Sequence, residues 1–338
     1  MIGKIYDMLI QNRQQLKDQI YDIARYLEKE IGEKISNVWI EYEPNSSSNE
    51  KKFVAVDGGS FTKAMRIGII YTVDAEAVRG DKEKVEIINE DGRIGIFKPG
   101  NDAKERANLL MEVLELKLAL ESGKLGDYLL LDGSLTNKIG KKINTEKISK
   151  EELNIVESID IDKIISIKNE EKMRELLQLL NQFLITRVLE EYDGNVLWIS
   201  KTSRSRELFS TDYSDITVLE LFTNSSGFTK PYIKTINQEK VSDVYELEFL
   251  RKMEYSVFYT RLGKGNKIIK IEIAGRIDES IAKEIIDDLS EVAIKGYPFP
   301  LLKVHMDVRI SQNDRKRIIK LLGSKIHKDI EWWPSQFY

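Results

Sequence analysis

The sequence has 338 residues, 41% hydrophobic and 32% charged, with a formal net charge of −4, which suits one elaborated globular domain or two ordinary ones. Absent cysteine excludes disulfides, thiolate metal sites and cysteine nucleophiles. Only two histidines, His305 and His327, exclude a multi-histidine zinc site, and the acidic balance leaves nucleic acid to local basic clusters or bound cations.

Apolar positions at helical spacing from Ile5 to Ile31 predict a long amphipathic N-terminal helix, with room for one break, within a segment 1–50. The start turns polar too soon for a signal peptide, and no apolar run approaches the ~20 residues of a membrane span. A cytoplasmic protein without membrane contact is expected. Asn45-Ser46-Ser47-Ser48-Asn49 reads as a loop. Phe53–Val56 predicts a short strand ending at Asp57. Met65–Val78 predicts a second strand, and Val85–Ile88 and Arg93–Phe97 predict two more joined by a turn at Asn89-Glu90-Asp91-Gly92. Pro99-Gly100-Asn101-Asp102 stops the sheet and caps a helix to about Glu121. Tyr128–Leu131 is a buried strand ending at Asp132. Residues 136–168 read as a charged insertion with little core of its own. A helix over Glu170–Tyr192 and a strand over Asn195–Ser200 follow, closing a unit at 51–205. In the remainder, 206–338, strands are predicted over Ile216–Phe222, Tyr245–Leu250, Tyr255–Leu262, Lys267–Arg276 and Leu301–Ile310. Helices are predicted over Glu279–Ala293 and Asn313–Leu322.

This order, a strand meander and then helix, strand, helix, strand, matches an α/β fold of ribonuclease H-like (Piwi-like) type. It has a mixed-sheet core, an additional β-rich portion and an N-terminal helix. In that arrangement the strands ending at Asp57 and Asp132 lie parallel and adjacent, about 5 Å apart, with ligands at their carboxyl ends.

Val54-Ala55-Val56-Asp57-Gly58-Gly59-Ser60 and Leu129-Leu130-Leu131-Asp132-Gly133-Ser134 are two copies of one pattern. A carboxylate closing an apolar strand needs a partner, and two such groups side by side repel unless a divalent cation lies between them. Asp-Gly also serves ordinary turns. On the helix between them, Arg106, Lys117 and Glu121 cluster on the expected wet side, and Glu115 falls roughly 160° away. Glu115 is the preferred third ligand, with Glu112 nearly as well placed. Three oxygen ligands favour Mn²⁺ or Mg²⁺, which would activate water and stabilise a leaving oxygen at a phosphodiester. Alternation places Lys303, His305 and Asp307 on one strand face, suited to a phosphate or simply to solvent. Tyr297, in Tyr297-Pro298-Phe299-Pro300, suits base stacking or core packing equally. Lys201, Arg204 and Arg206 are expected on the catalytic edge as phosphate contacts; Lys138, Lys141 and Lys142 are weaker candidates.

Together, Phe-Val-Ala-Val-Asp57-Gly-Gly-Ser, Leu-Leu-Met-Glu-Val-Leu-Glu115-Leu, Leu-Leu-Asp132-Gly-Ser and Gly-Tyr297-Pro-Phe-Pro with His305 after it resemble the NurA family of archaeal and bacterial nucleases. The resemblance covers essentially the whole chain. It implies Mn²⁺- or Mg²⁺-dependent 5′→3′ exonuclease activity on single- and double-stranded DNA and endonuclease activity on single strands. The implied setting is end resection for recombinational repair, by a homodimer docked on the hexameric ATPase HerA. It implies that Asp57, Glu115 and Asp132 ligate metal and that Tyr297 and His305 complete the site. The N-terminal helix and the aromatic tail Trp332-Trp333-Pro334-Ser335-Gln336-Phe337-Tyr338 would serve as contact surfaces. Two rival readings remain. Asp57-Gly58-Gly59-Ser60 also resembles the first phosphate loop of an actin- or sugar-kinase-like phosphotransferase, and intact ligands do not exclude a non-catalytic subunit of a DNA motor.

Overall fold

The computed structural model describes residues 2–46, 50–65, 68–98, 102–192 and 194–323. In chain order the elements are α1 (Ile2–Val38), β1 (Trp39–Glu41), β2 (Phe53–Met65), β3 (Gly68–Gly80), β4 (Val85–Phe97), α2 (Ala103–Ser122), β5 (Tyr128–Asp132), α3 (Leu135–Lys138), α4 (Lys150–Glu157), α5 (Ile161–Ile165) and α6 (Glu170–Glu191). There follow β6 (Val196–Ser200), α7 (Asp215–Phe222), β7 (Gly227–Thr229), β8 (Tyr232–Thr235), α8 (Glu248–Lys252), β9 (Glu254–Arg261), β10 (Ile269–Ala274), α9 (Glu279–Glu291), β11 (Ala293–Ile294), β12 (Tyr297–Pro298), α10 (Phe299–Asp307) and α11 (Gln312–Gly323).

Strands β5 and β6 and the first four residues of β2 read as apolar runs because both of their faces are covered, and β2 runs on past its expected end at Asp57 to Met65. They sit mid-sheet in the order β1-β7-β9-β10-β6-β5-β2-β3-β4. The β2–β5 and β5–β6 pairs are parallel and most other pairs antiparallel, so the sheet is mixed. Period-two alternation sends Val54, Val56, Leu129 and Leu131 into a core shared with α2 and α6. Phe53, Ala55 and Leu130 go to the other face, under α9 and α10. A smaller cluster joins the end of α1 (Leu27, Ile31, Ile35) to α7.

Several expectations need correcting. The turn at 89–92 does not form: β4 runs unbroken through it, and one extra residue makes a bulge where Ala77 pairs Asn89 and Val78 pairs Ile87. Residues 216–222 and 248–252 are helical, and so is 299–307. In the last, Leu301, Val304 and Val308 are buried, a helical interval, whereas Met306 is exposed. The insertion at 136–168 folds into short helices whose Ile139, Val156, Ile161 and Ile164 join the main core. Arg106, expected in solvent, is buried, pairs with Glu170 at 2.7 Å and lies over the Phe97 ring. Ser47–Asn49, Pro99–Asn101, His327 and the aromatic tail lie outside the described residues.

Candidate metal centre and its surroundings

The register that pairs Val56 with Leu131 puts Asp57 and Asp132 next in line on adjacent parallel strands. By the alternation, both carboxylates share the parity of Ala55 and Leu130 and belong to the face that α10 covers. From α10, His305 Nδ1 meets Asp57 Oδ2 at 2.6 Å. From the short β12, Tyr297 Oη donates to Asp132 Oδ1 at 3.0 Å. The rigid Pro298 and Pro300 set Tyr297 and His305 on successive short elements, which is how residues so far along the chain reach β2 and β5.

Asp57, Asp132 and His305 each offer a ligand atom within 4.8 Å of the others, a set of three that could hold a metal ion. Burial, and then the Asp132 charge, push the Asp57 carboxyl above its ordinary range, while the His305 bond opposes the rise. Burial and the neighbouring Asp132 also raise the Tyr297 hydroxyl, so it stays a proton donor. Two crowded carboxylates with an imidazole beside them are a donor set that suits a divalent ion such as Mn²⁺, and a cation at that point removes the repulsion.

Glu115 comes from the other face. It lies on α2, 6% exposed, and reaches β2 at Gly58, where an added Cβ would come within 2.8 Å of Glu115 Oε1. Glycine at this position lets the helix carboxylate approach β2. Burial pushes its carboxyl up to about 7, and Lys138, joined to Oε2, opposes the rise. Glu112 is half-buried on the same side, with its carboxyl also raised by burial. Of the two glutamates left open by the helical wheel, Glu115 is the one seated against the strand. Lys138 is thus an ion-pair partner inside the site, a role that sequence reading missed; the signal was the buried glutamate, which required a cation.

Lys201 places its ammonium 4.3 Å from the centre of the Tyr297 ring. Arg204 and Arg206 are exposed and line a polar cleft of about 880 Å³ together with Ser134, Asn137, Lys234 and Lys270. Lys201 therefore sits beside the tyrosine that holds Asp132, and Arg204 and Arg206 border the cleft that Ser134 also lines. Lys142 turns away to Asp243. Lys270, unremarked in the sequence, is buried and pairs at 2.5 Å with the buried Glu272, which also accepts from Ser134 Oγ at 2.9 Å and from the Leu135 backbone at 2.7 Å. Lys303 pairs with Asp307 one helical turn away and not with the site.

A family model described as NurA domain matches residues 51–310, which contain every one of these residues. The DNA double-strand break repair nuclease NurA of Saccharolobus solfataricus is 61% identical over 339 residues, covering 100% of both chains. The crystal structure of the NurA nuclease from Sulfolobus solfataricus superposes with a TM-score of 0.89 at 60% identity, covering 99% of this chain and 100% of that one. A NurA bound to dAMP and manganese has the same fold, with a TM-score of 0.69 at 15% identity over 94% of this chain and 98% of that one. The two strand aspartates, the helix glutamate and the tyrosine–histidine pair thus fall within a match spanning most of the chain, and the protein belongs to the NurA family.

Proposed function

We propose that this protein is a divalent-metal-dependent DNA nuclease that hydrolyses phosphodiester bonds in double-strand break repair. The observation that carries the reading is the convergence of Asp57, Asp132 and His305 within 4.8 Å where the parallel pairing of β2 and β5 ends. Family membership adds to it, since relatives carry the name of DNA repair nuclease and one was solved with manganese and dAMP. It also sets aside the phosphotransferase reading.

Asp57 and Asp132 would hold the ion, with His305 and Glu115 as further donors from the two faces of the sheet. A bound divalent cation supplies a lowered water pKa and charge neutralisation at phosphate. Tyr297 fixes the orientation of Asp132 through its hydrogen bond. Arg204 and Arg206 provide cations along the cleft and Lys201 one beside Tyr297, where DNA phosphates would be held without reading sequence. The sheet order, with two parallel pairs at its centre, supports a ribonuclease H-like (Piwi-like) classification and a core over 51–205 completed by 206–338.

The finer reading is a 5′→3′ exonuclease on single- and double-stranded DNA with single-strand endonuclease activity, dependent on Mn²⁺ or Mg²⁺. It acts in the cytoplasm as a homodimer on a HerA-type hexameric ATPase. Support for a second chain comes from α1, whose Ile5, Tyr6, Leu9, Ile10, Ile20 and Tyr21 are all at least half exposed; an unpartnered apolar stripe of this size favours a protein contact. The sequence carries no Gly-x-x-x-x-Gly-Lys-Ser/Thr loop, so a motor must come from a partner. No described helix is long and apolar enough to cross a membrane.

The test is cleavage of end-labelled single-stranded DNA with Mn²⁺, Mg²⁺ or EDTA, beside Asp57→Asn. Metal-dependent shortening from the 5′ end, lost in the variant, is the expected result. Cleavage that persists in EDTA or in Asp57→Asn would sink the assignment.

A further inference from the structure

Glu115 shares its buried position with a cation. Lys138, at the end of α3, gives its ammonium to Glu115 Oε2, and the two side chains are only 15% and 8% exposed. The other oxygen, Oε1, faces Gly58, the neighbour of Asp57 within β2. One oxygen of the helix carboxylate is therefore taken by Lys138, and the other is turned toward the part of β2 that carries Asp57.

The place of Lys138 is itself constructed. Helix α3 has four residues, too few to hold its own shape. A row of amides on α6 fastens the chain beside it. Asn181 Nδ2 donates to the Lys138 carbonyl at 2.5 Å, and Gln178 Nε2 to the Ile139 carbonyl at 2.8 Å. Gln182 Nε2 serves the carbonyls of Ile139 and Lys141, both at 3.1 Å, while its Oε1 accepts from the Ser242 backbone at 3.0 Å. Residues 178, 181 and 182 share one helix face and are only 7%, 0% and 0% exposed. Burying three amides in a helix face is costly unless their bonds are made, and all three direct their amide N–H groups to the loop that carries Lys138, Gln182 also to the Lys240 carbonyl at 2.8 Å. Gly140 turns that loop at φ +71, and an added Cβ would come 2.5 Å from Gln178 Oε1.

We propose that Lys138 is the positioning residue of the metal centre: it fixes Glu115 so that Oε1 faces the cation held by Asp57 and Asp132, and the amide row of α6 fixes Lys138 in turn. The proposal rests on the metal-dependent reading above. Simple charge repulsion predicts the opposite effect, because removing a lysine from beside a carboxylate cluster should tighten the binding of a second cation. The sign of the effect therefore separates positioning from mere neutralisation.

The experiment is calorimetric titration of Mn²⁺ into the full-length protein without DNA. It compares wild type, Lys138→Met, Glu115→Gln, their double variant and Asn181→Leu. Lys138→Met is expected to weaken Mn²⁺ roughly 10–100-fold, the range for residues that orient metal ligands. The double variant should bind within about twofold of Glu115→Gln alone, because Lys138 acts through Glu115. Asn181→Leu cuts the bond to the Lys138 carbonyl from outside the site. It should be tolerated, since Asn181 Oδ1 has no partner to lose among the described residues, and it should weaken Mn²⁺ in the same direction, so the proposal stays testable if Lys138→Met fails to fold. Lys138→Met binding Mn²⁺ as tightly as wild type or tighter would overturn the proposal, as would losses that multiply in the double variant or an Asn181→Leu that binds normally. Absence of Mn²⁺ binding by the wild type would overturn the metal reading and this proposal with it.

Discussion

At the scale of single residues, the site is a conflict held in place by packing. Asp57 and Asp132 lie where the parallel pairing of neighbouring strands ends, and the Asp57 carboxyl is raised first by burial and then by the Asp132 charge. Neutralising one of them removes repulsion in the metal-free protein and removes a ligand from the metal-bound one. Asp57→Asn should therefore leave melting in EDTA unchanged or slightly higher, abolish the rise in Tm on adding Mn²⁺, and lower cleavage by at least about 100-fold, beyond what residues behind a metal usually cost. Scanning calorimetry with and without Mn²⁺ reads the first two effects, and a variant that melts lower in EDTA would contradict them. Tyr297 makes a narrower contribution. Removing its hydroxyl in Tyr297→Phe deletes one hydrogen bond to Asp132, worth about 1 kcal/mol of stability. Steady-state kinetics should show kcat down by roughly 10–100-fold with KM little changed, and a KM effect alone would mean that the tyrosine binds DNA instead.

At the scale of elements, the parallel centre was readable because its strands are buried on both faces and keep an apolar run of the right length. Leu129–Leu131 ended where expected and α2 and α6 lay within a residue or two of their predicted bounds, but the strand expected to stop at Asp57 runs on to Met65, paired to β3 all the way. Segment 301–310 misled for a definable reason. Leu302, Val304 and Met306 alternate like a strand, but the burial that decides is at Leu301, Val304 and Val308, and short apolar runs do not distinguish the two periods. The error also misplaced His305, which meets Asp57 from a helix and not from a strand face. What the sequence pattern could not supply was contact across the sheet: Gly58 looked like a turn glycine, yet it lies within the extended strand β2 and makes room for Glu115. That role is testable. Gly58→Ala is conformationally tolerable in a strand, but its methyl group would press on Glu115 and Met111 at 2.8 Å. It should cost about 1–3 kcal/mol, as overpacking does, and weaken Mn²⁺ binding in proportion to how far Glu115 is displaced. Unchanged Mn²⁺ affinity in a folded Gly58→Ala would mean that Glu115 does not depend on this approach.

At the scale of the whole molecule, the carboxylates gather on one side and set how stability follows pH. Beside the metal set, burial raises Asp74 to about 6, and burial followed by Asp307 raises Glu76 to about 7. Burial likewise puts Glu115 at about 7. Each of these groups holds its proton more tightly folded than unfolded. Each therefore adds stability that is complete below the ordinary carboxyl range and is lost as pH climbs through the folded value. Carboxyls held low act with the opposite sign, among them Asp81, where backbone amides of Lys84 and Glu83 lower the value, and Glu86, lowered by Arg79; their window closes below about pH 4.5. Lys138 carries burial, which lowers it, against the stronger pull of Glu115 and Glu112, which leaves it raised; that contribution is constant until strongly alkaline pH. Between about pH 5 and pH 8 the raised carboxyls dominate, so the metal-free protein should lose stability across this interval, Glu115 alone accounting for about 3 kcal/mol. Mn²⁺ binds the deprotonated groups, so its stabilisation should grow over the same interval and offset the loss. Denaturant unfolding at about pH 5.5 and pH 8, in EDTA and in Mn²⁺, checks both slopes, with Glu115→Gln expected to flatten the EDTA slope. Stability in EDTA that holds level or rises toward pH 8 would show that the cluster is not strained at neutral pH, and that a cation is not needed there to relieve it.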